Sequence, residues 1–84
     1  MPQYKLTPKA LKQMQKLDIG VRRRIFKKLD YFISLSDPLE FAEPISDPAL
    51  GQYRFRIGSY RVIFDVRGDL FKILIVGDRK NIYK

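Results

Sequence analysis

Residues 52–64, QYRFRIGSYRVIF, alternate polar and apolar side chains on either side of Gly58-Ser59. Such period-two alternation marks a strand with one buried face. Glycine followed by serine suits a two-residue hairpin turn, because glycine reaches positive φ without steric cost. On the first arm Tyr53, Phe55 and Ile57 alternate with Gln52, Arg54 and Arg56; on the second, Tyr60, Val62, Phe64 and Val66 alternate with Arg61, Ile63 and Asp65. One face of the hairpin therefore needs a cover, and the other presents three arginines. With 84 residues in all, the cover must come from a single small domain, which buries roughly 60–65% of the surface its unfolded chain exposes.

That cover is upstream. QYKL (3–6) reads as a short first strand. Thr7-Pro8 then opens a helix, with Thr7 as N-cap and Pro8 at the first helical position, where a missing N–H does no harm. Ala10, Leu11, Met14 and Leu17 follow at helical spacing. Asp18 caps a second helix whose apolar stripe is Val21, Ile25, Leu29, Phe32 and Ile33. Only Asp18, Ile19 and Gly20 separate the two, which predicts an antiparallel helical hairpin. Residues 36–51, SDPLEFAEPISDPALG, hold three prolines and predict an ordered but irregular connection, anchored by Leu39, Phe41, Ile45 and Leu50. Downstream, Gly68-Asp69 makes a second turn, and LFKILIVG (70–77) is apolar enough for a strand covered on both faces. The expected architecture is α+β in two layers: an N-terminal strand and a helical hairpin packed on an antiparallel sheet with a C-terminal three-stranded meander, one domain over 1–84.

Composition narrows the chemistry. The chain has no cysteine and no histidine, so disulfides, thiolate metal sites and the usual general base are all missing. No metal or organic cofactor is suggested. The first ten residues lack a continuous apolar run, so neither a signal peptide nor a membrane span is expected, and the cytoplasm is the default location. The formal charge of +8 is unevenly spread: residues 36–50 carry four acids, Asp37, Glu40, Glu43 and Asp47, and no base. The remainder is strongly basic, which favours a polyanionic partner, nucleic acid first, since neutralising phosphates releases counterions.

Arg54 and Arg56 share one side of their strand, and Arg61 lies on the same side across the hairpin. Like charges at such spacing repel, and a phosphate among them would relieve the repulsion by accepting bidentate hydrogen bonds. The plain alternative is a solvated sheet face built of long polar side chains. The tail, GDRKNIYK, adds Arg79, Lys80, Tyr83 and Lys84. An antiparallel third strand ends beside the start of the second, which brings Arg79 toward Arg61. Tyr83 can stack on a base or handle a proton, or simply seal the core. Arg22, Arg23, Arg24, Lys27 and Lys28 on the second helix are candidates for holding RNA, ribosomal RNA in particular, with Lys80 and Lys84 beside them.

The layout, the YR-x-R-x-G-x-YR-V hairpin and the terminal R-x-x-x-Y together resemble the RelE/ParE superfamily of bacterial toxins over nearly the whole chain. The resemblance implies a toxin of a type II toxin–antitoxin system. RelE-like members are ribosome-dependent ribonucleases cutting messenger RNA, whereas ParE-like members poison DNA gyrase. Carried over by position, Arg54 and Arg56 resemble the paired basic residues of the first meander strand. Arg61 resembles the arginine that contacts the scissile phosphate, and Arg79 and Tyr83 the C-terminal pair that finishes the site. The implied reaction is attack by a ribose 2′-hydroxyl on the neighbouring phosphorus. The implied partners are messenger RNA, the ribosome and a cognate antitoxin that covers the basic face. Asp78 stands where many relatives have histidine. Arginine is too weak an acid to serve as a base, so the proton acceptor is open among Asp78, Tyr83 and a carboxylate of the acidic connection. Gyrase inhibition and a non-catalytic RNA-binding module are the competing readings.

Overall fold

The computed structural model describes residues 1–82. Strand β1 (Gln3–Leu6) leads into helices α1 (Pro8–Gln15) and α2 (Ile19–Ser34). A two-residue strand β2 (Glu43–Pro44) precedes the meander β3 (Tyr53–Ile57), β4 (Tyr60–Arg67) and β5 (Leu70–Asp78). The five strands form one sheet in the order β1-β5-β4-β3-β2. Pairing is antiparallel except between β1 and β5, which run parallel.

Local chemistry sets the helix starts. Thr7 Oγ1 accepts the Ala10 N–H at 3.1 Å with Pro8 in the first turn, and Asp18 caps α2 by accepting the Gly20 N–H at 3.0 Å. The second helix begins at Ile19, two residues earlier than the Asp18–Gly20 link predicts, because that capping bond already places Ile19 and Gly20 in the helix. Ala10 and Met14 of α1 and Ile25, Leu29 and Phe32 of α2 are buried. They meet Phe55, Ile57, Val62, Phe64, Phe71, Ile73 and Val76 from one sheet face. Four phenylalanines run through this core, with ring centroids 4.4 Å apart for Phe32–Phe55, 4.4 Å for Phe55–Phe64 and 5.3 Å for Phe64–Phe71. Contacts of this geometry add about 0.5–1.5 kcal/mol each beyond area burial.

Further features of the sheet differ from the sequence reading. The acidic connection contains β2, which pairs Glu43 with Arg54 and Pro44 with Tyr53. A bulge sits in β5: Ile63 opposes Ile75 while Phe64 opposes Ile73, leaving Leu74 as the extra residue. It lets Ile73 and Val76, three apart, both reach the helical layer. Finally, β5 is fully covered on its helix side only: Leu74 and Ile75 are half-buried and Lys72 is exposed. The face away from the helices is not left wholly to arginine either. Ile63 is completely buried there, under the chain at Gly51. A Cβ at Gly51 would lie 2.7 Å from Ile63 Cγ2, and Gly51 has φ +151.

Beyond Ile73 no strand among the described residues lies beside the outer edge of β5. Thr7 ends β1 by donating its N–H to the Ile73 carbonyl at 3.0 Å, and Gln13 Oε1 of α1 accepts the Val76 N–H at 2.8 Å. Among the described residues no helix is long and apolar enough to cross a membrane.

Candidate functional site

The strand register arranges the open sheet face in rungs. One rung crosses the sheet as Glu43, Arg54, Ile63 and Ile75; the next is Arg56, Arg61 and Gly77. Arg56 and Arg61 are direct partners across the hairpin, and Gly77 beyond them adds no side chain. The arginines thus gather where the β3–β4 turn closes. Arg79 begins at that turn too: Asp78 pairs with Tyr60, and the Arg79 N–H donates to the Ser59 carbonyl at 2.8 Å.

The guanidiniums do not share one environment. Arg54 and Arg56 both direct Nε to Glu43 Oε1, at 3.1 and 2.6 Å. The hydrogen bond from Arg54, with that from Arg56, holds the Glu43 carboxyl below the ordinary carboxylate range. Arg61 instead folds back on the turn, Nη1 donating to the carbonyls of Gly58 and Tyr60, each at 2.9 Å. Among the described residues Arg61 and Arg79 have no ion-pair partner.

Asp78, one of the possible proton acceptors, is committed elsewhere. Its side chain accepts the Lys80 N–H at 2.8 Å, and its carbonyl accepts from Asn81 and Ile82 at 3.0 Å each. It lies in the rung of Tyr60, off the arginine rungs. Of the acidic connection, Glu43 is the carboxylate that the fold delivers to the arginines. Sequence reading groups it only as one acid of four; the signal that singles it out is its two-residue strand, too short to be visible in an alternation pattern.

On α2, Arg23, Arg24, Lys27 and Lys28 are exposed and Arg22 is half-buried. Arg24, Lys27, Lys28 and Tyr31 follow helical spacing along one stripe and line a shallow groove, with Lys28 Nζ 5.8 Å from the Tyr31 ring centroid. Arg24 leaves the stripe and reaches the sheet. Its Nη2 lies 2.6 Å from the position a Cβ would take on Gly58. The larger hollow lined by Leu6, Arg67, Leu70 and Lys72 is at the opposite end of the strands. Lys80 is exposed, and Tyr83 and Lys84 lie outside the described residues.

Two helices laid over one face of a five-stranded mixed sheet, with a basic hairpin at one end, form a fold seen in solved toxin–antitoxin complexes. It is similar to a chain of the RelBE2 complex from Mycobacterium tuberculosis, with TM-score 0.80, 21% identity and coverage of 95% of this chain and 93% of that one. It is also similar to a chain of the RelB–RelE complex from Methanococcus jannaschii, with TM-score 0.67, 26% identity and coverage of 93% of each. Among curated proteins, none matches the chain by sequence. Residues 4–83 match the family described as the ParE toxin of the type II toxin–antitoxin system parDE. The chain belongs to this family, within the RelE/ParE superfamily of toxins.

Proposed function

We propose that this toxin is a ribosome-dependent endoribonuclease that cuts messenger RNA and so stops translation. The observation that carries the reading is the Arg56–Arg61 rung closing onto the turn from which Arg79 departs. A phosphodiester seated there meets guanidiniums from two strands and from the tail. In the reaction the ribose 2′-oxygen bonds to the neighbouring phosphorus as the bond to the 5′-oxygen breaks. The products are a 2′,3′-cyclic phosphate and a 5′-hydroxyl. Arg61 and Arg79 stabilise the charge on the pentacoordinate phosphate; one fixed donor of this sort is worth roughly 3–4 kcal/mol. Arg54 and Arg56 position the strand. Glu43, ionised at neutral pH beside them, takes the 2′-hydroxyl proton, and Tyr83 stacks on the nucleotide or returns a proton to the leaving oxygen. No step calls on a metal or an organic cofactor.

A cognate antitoxin is the natural partner, since both solved neighbours come from toxin–antitoxin complexes. An acidic segment of such a partner complements the +8 charge and covers the basic face.

Two observations favour a second reading, inhibition of DNA gyrase: the matching family is that of ParE, and Glu43 already neutralises part of the arginine set. Inducing the protein in cells, mapping transcript 5′ ends and assaying gyrase supercoiling in parallel separates the two. New 5′ ends inside translated codons support the nuclease; lost supercoiling with intact transcripts supports gyrase inhibition. RNA binding with neither effect leaves a non-catalytic module.

A further inference from the structure

The arginines divide into a compensated pair and an uncompensated group, and the second includes a helix residue. Arg54 and Arg56 are tied to Glu43. At the β3–β4 turn, Arg61 Nη1 is fixed by the carbonyls of Gly58 and Tyr60. Arg24 of α2 comes to the same peptide from the helical layer, its Nη2, Cζ and Nη1 at 2.6, 3.0 and 3.1 Å from where a Gly58 Cβ would stand. Gly58 has φ +61, so this glycine serves twice: it makes the turn, and its bare Cα leaves room for the Arg24 head group. Among the described residues no carboxylate pairs with Arg24, Arg61 or Arg79. Two cations brought to one exposed turn without a counter-ion raise the energy of the empty surface and lower that of an anion-bound one.

The geometry points to the Gly58-Ser59 turn as the phosphate-holding centre of this surface, with Arg24 as a ligand beside Arg61. The identity of the anion as a nucleic-acid phosphate rests on the nuclease reading above; the site itself requires only a tetrahedral oxyanion. Arg61 offers its remaining N–H groups while Nη1 is held by the turn, and Arg24 offers its planar fork from the helix side. Arg24 also begins the stripe continued by Lys27, Lys28 and Tyr31. A strand anchored at the turn thus finds cations and an aromatic ring along α2, the combination that suits single-stranded nucleic acid. This makes Arg24 the residue that links the helical layer to the sheet site.

Inorganic pyrophosphate, titrated into the full chain at low salt and followed by calorimetry, tests the site apart from any cleavage. Arg24→Ala is expected to weaken binding about tenfold or more, as for the loss of a hydrogen bond to a charged group. Arg67→Ala, which removes the same charge from the far end of β4, is expected to stay within about twofold. Both positions are exposed, and circular dichroism melts confirm that each variant folds. Equal losses in the two variants, or a wild-type chain that does not bind pyrophosphate, overturn the proposal. Transcript cleavage is scored separately: Arg24-dependent binding by a protein that leaves transcripts intact supports the anion site and removes the nuclease reading. Normal cleavage by Arg24→Ala with unchanged pyrophosphate binding does the reverse.

Discussion

Arg56 and Arg61 oppose each other across the β3–β4 hairpin, yet their guanidiniums are held by different partners. Arg56 Nε goes 2.6 Å to Glu43 Oε1, at the sheet edge; Arg61 Nη1 goes to the turn carbonyls of Gly58 and Tyr60. The like-charge repulsion that the pairing would cost is offset by these separate partners, a carboxylate for Arg56 and two carbonyls for Arg61, and the two side chains acquire different tasks.

Arg61→Ala removes a fixed cation from the phosphate site. Cleavage of translated transcripts is expected to fall roughly 100- to 1000-fold, the range seen when one preorganised donor is lost. Its two bonds to turn carbonyls are surface interactions, so the melting temperature is expected to move by less than about 10 °C. Primer extension on induced transcripts, with a thermal melt of the purified variant, checks both.

Glu43→Gln separates binding from chemistry. Losing the carboxylate shared by Arg54 and Arg56 is expected to tighten single-stranded RNA binding several-fold at low salt while reducing cleavage, because the proton acceptor is gone. The same change alters acid stability. The folded carboxyl titrates below its ordinary value of 4.5, so the ion pair contributes above that pH and is lost as pH falls through the lower folded value. Melts between neutral pH and acid should be flatter for Glu43→Gln than for wild type. A variant that binds RNA as wild type does and cuts normally would remove Glu43 from the mechanism.

Tyr4 contributes to stability on the alkaline side. Its phenol is pushed up from 10.0 to about 12, first by burial and then by Asp30, which accepts its hydrogen bond. A raised folded value means stability is present below pH 10 and is lost as pH climbs toward 12. Tyr4→Phe should weaken that dependence, and an ultraviolet titration should show one of the five tyrosines ionising late.

Gly51→Ala tests the cover over the second sheet face. The added Cβ would stand 2.7 Å from Ile63 Cγ2 and 3.1 Å from Leu74 Cδ1, at a φ of +151. Overpacking and backbone strain together are expected to cost at least about 2 kcal/mol, lowering the melting temperature by about 8 °C or more. A melt within 2 °C of wild type, roughly half a kcal/mol on the same scale, would show that the loop yields easily.

Much of the fold was legible because its determinants are local. Thr7-Pro8 announces its helix through the chemistry of a cap. The α2 stripe shows its period, and Gly58-Ser59 shows its turn. What escaped depends on distant partners. Parallel pairing of β1 with β5 joins segments more than sixty residues apart, and no local pattern encodes it. The bulge at Leu74 hides in an unbroken apolar run, where alternation carries no phase. Arg54, Arg56 and Arg61 could be placed on one face by counting in twos. Their division between Glu43 and the turn could not, since Glu43 arrives on a two-residue strand next to Pro44. In the sequence Arg24 is one cation among five on α2, and only the third dimension distinguishes it from Arg23.

The double tether on Arg61 also has a thermodynamic consequence. Freezing a long side chain costs up to about 2 kcal/mol of rotamer entropy, and here the folding reaction has already absorbed much of it. An incoming anion meets a head group whose direction is set, so little disorder is surrendered at encounter. Calorimetry on this residue's ligand should accordingly register a smaller entropic penalty than the exposed Lys27 or Arg23 would impose.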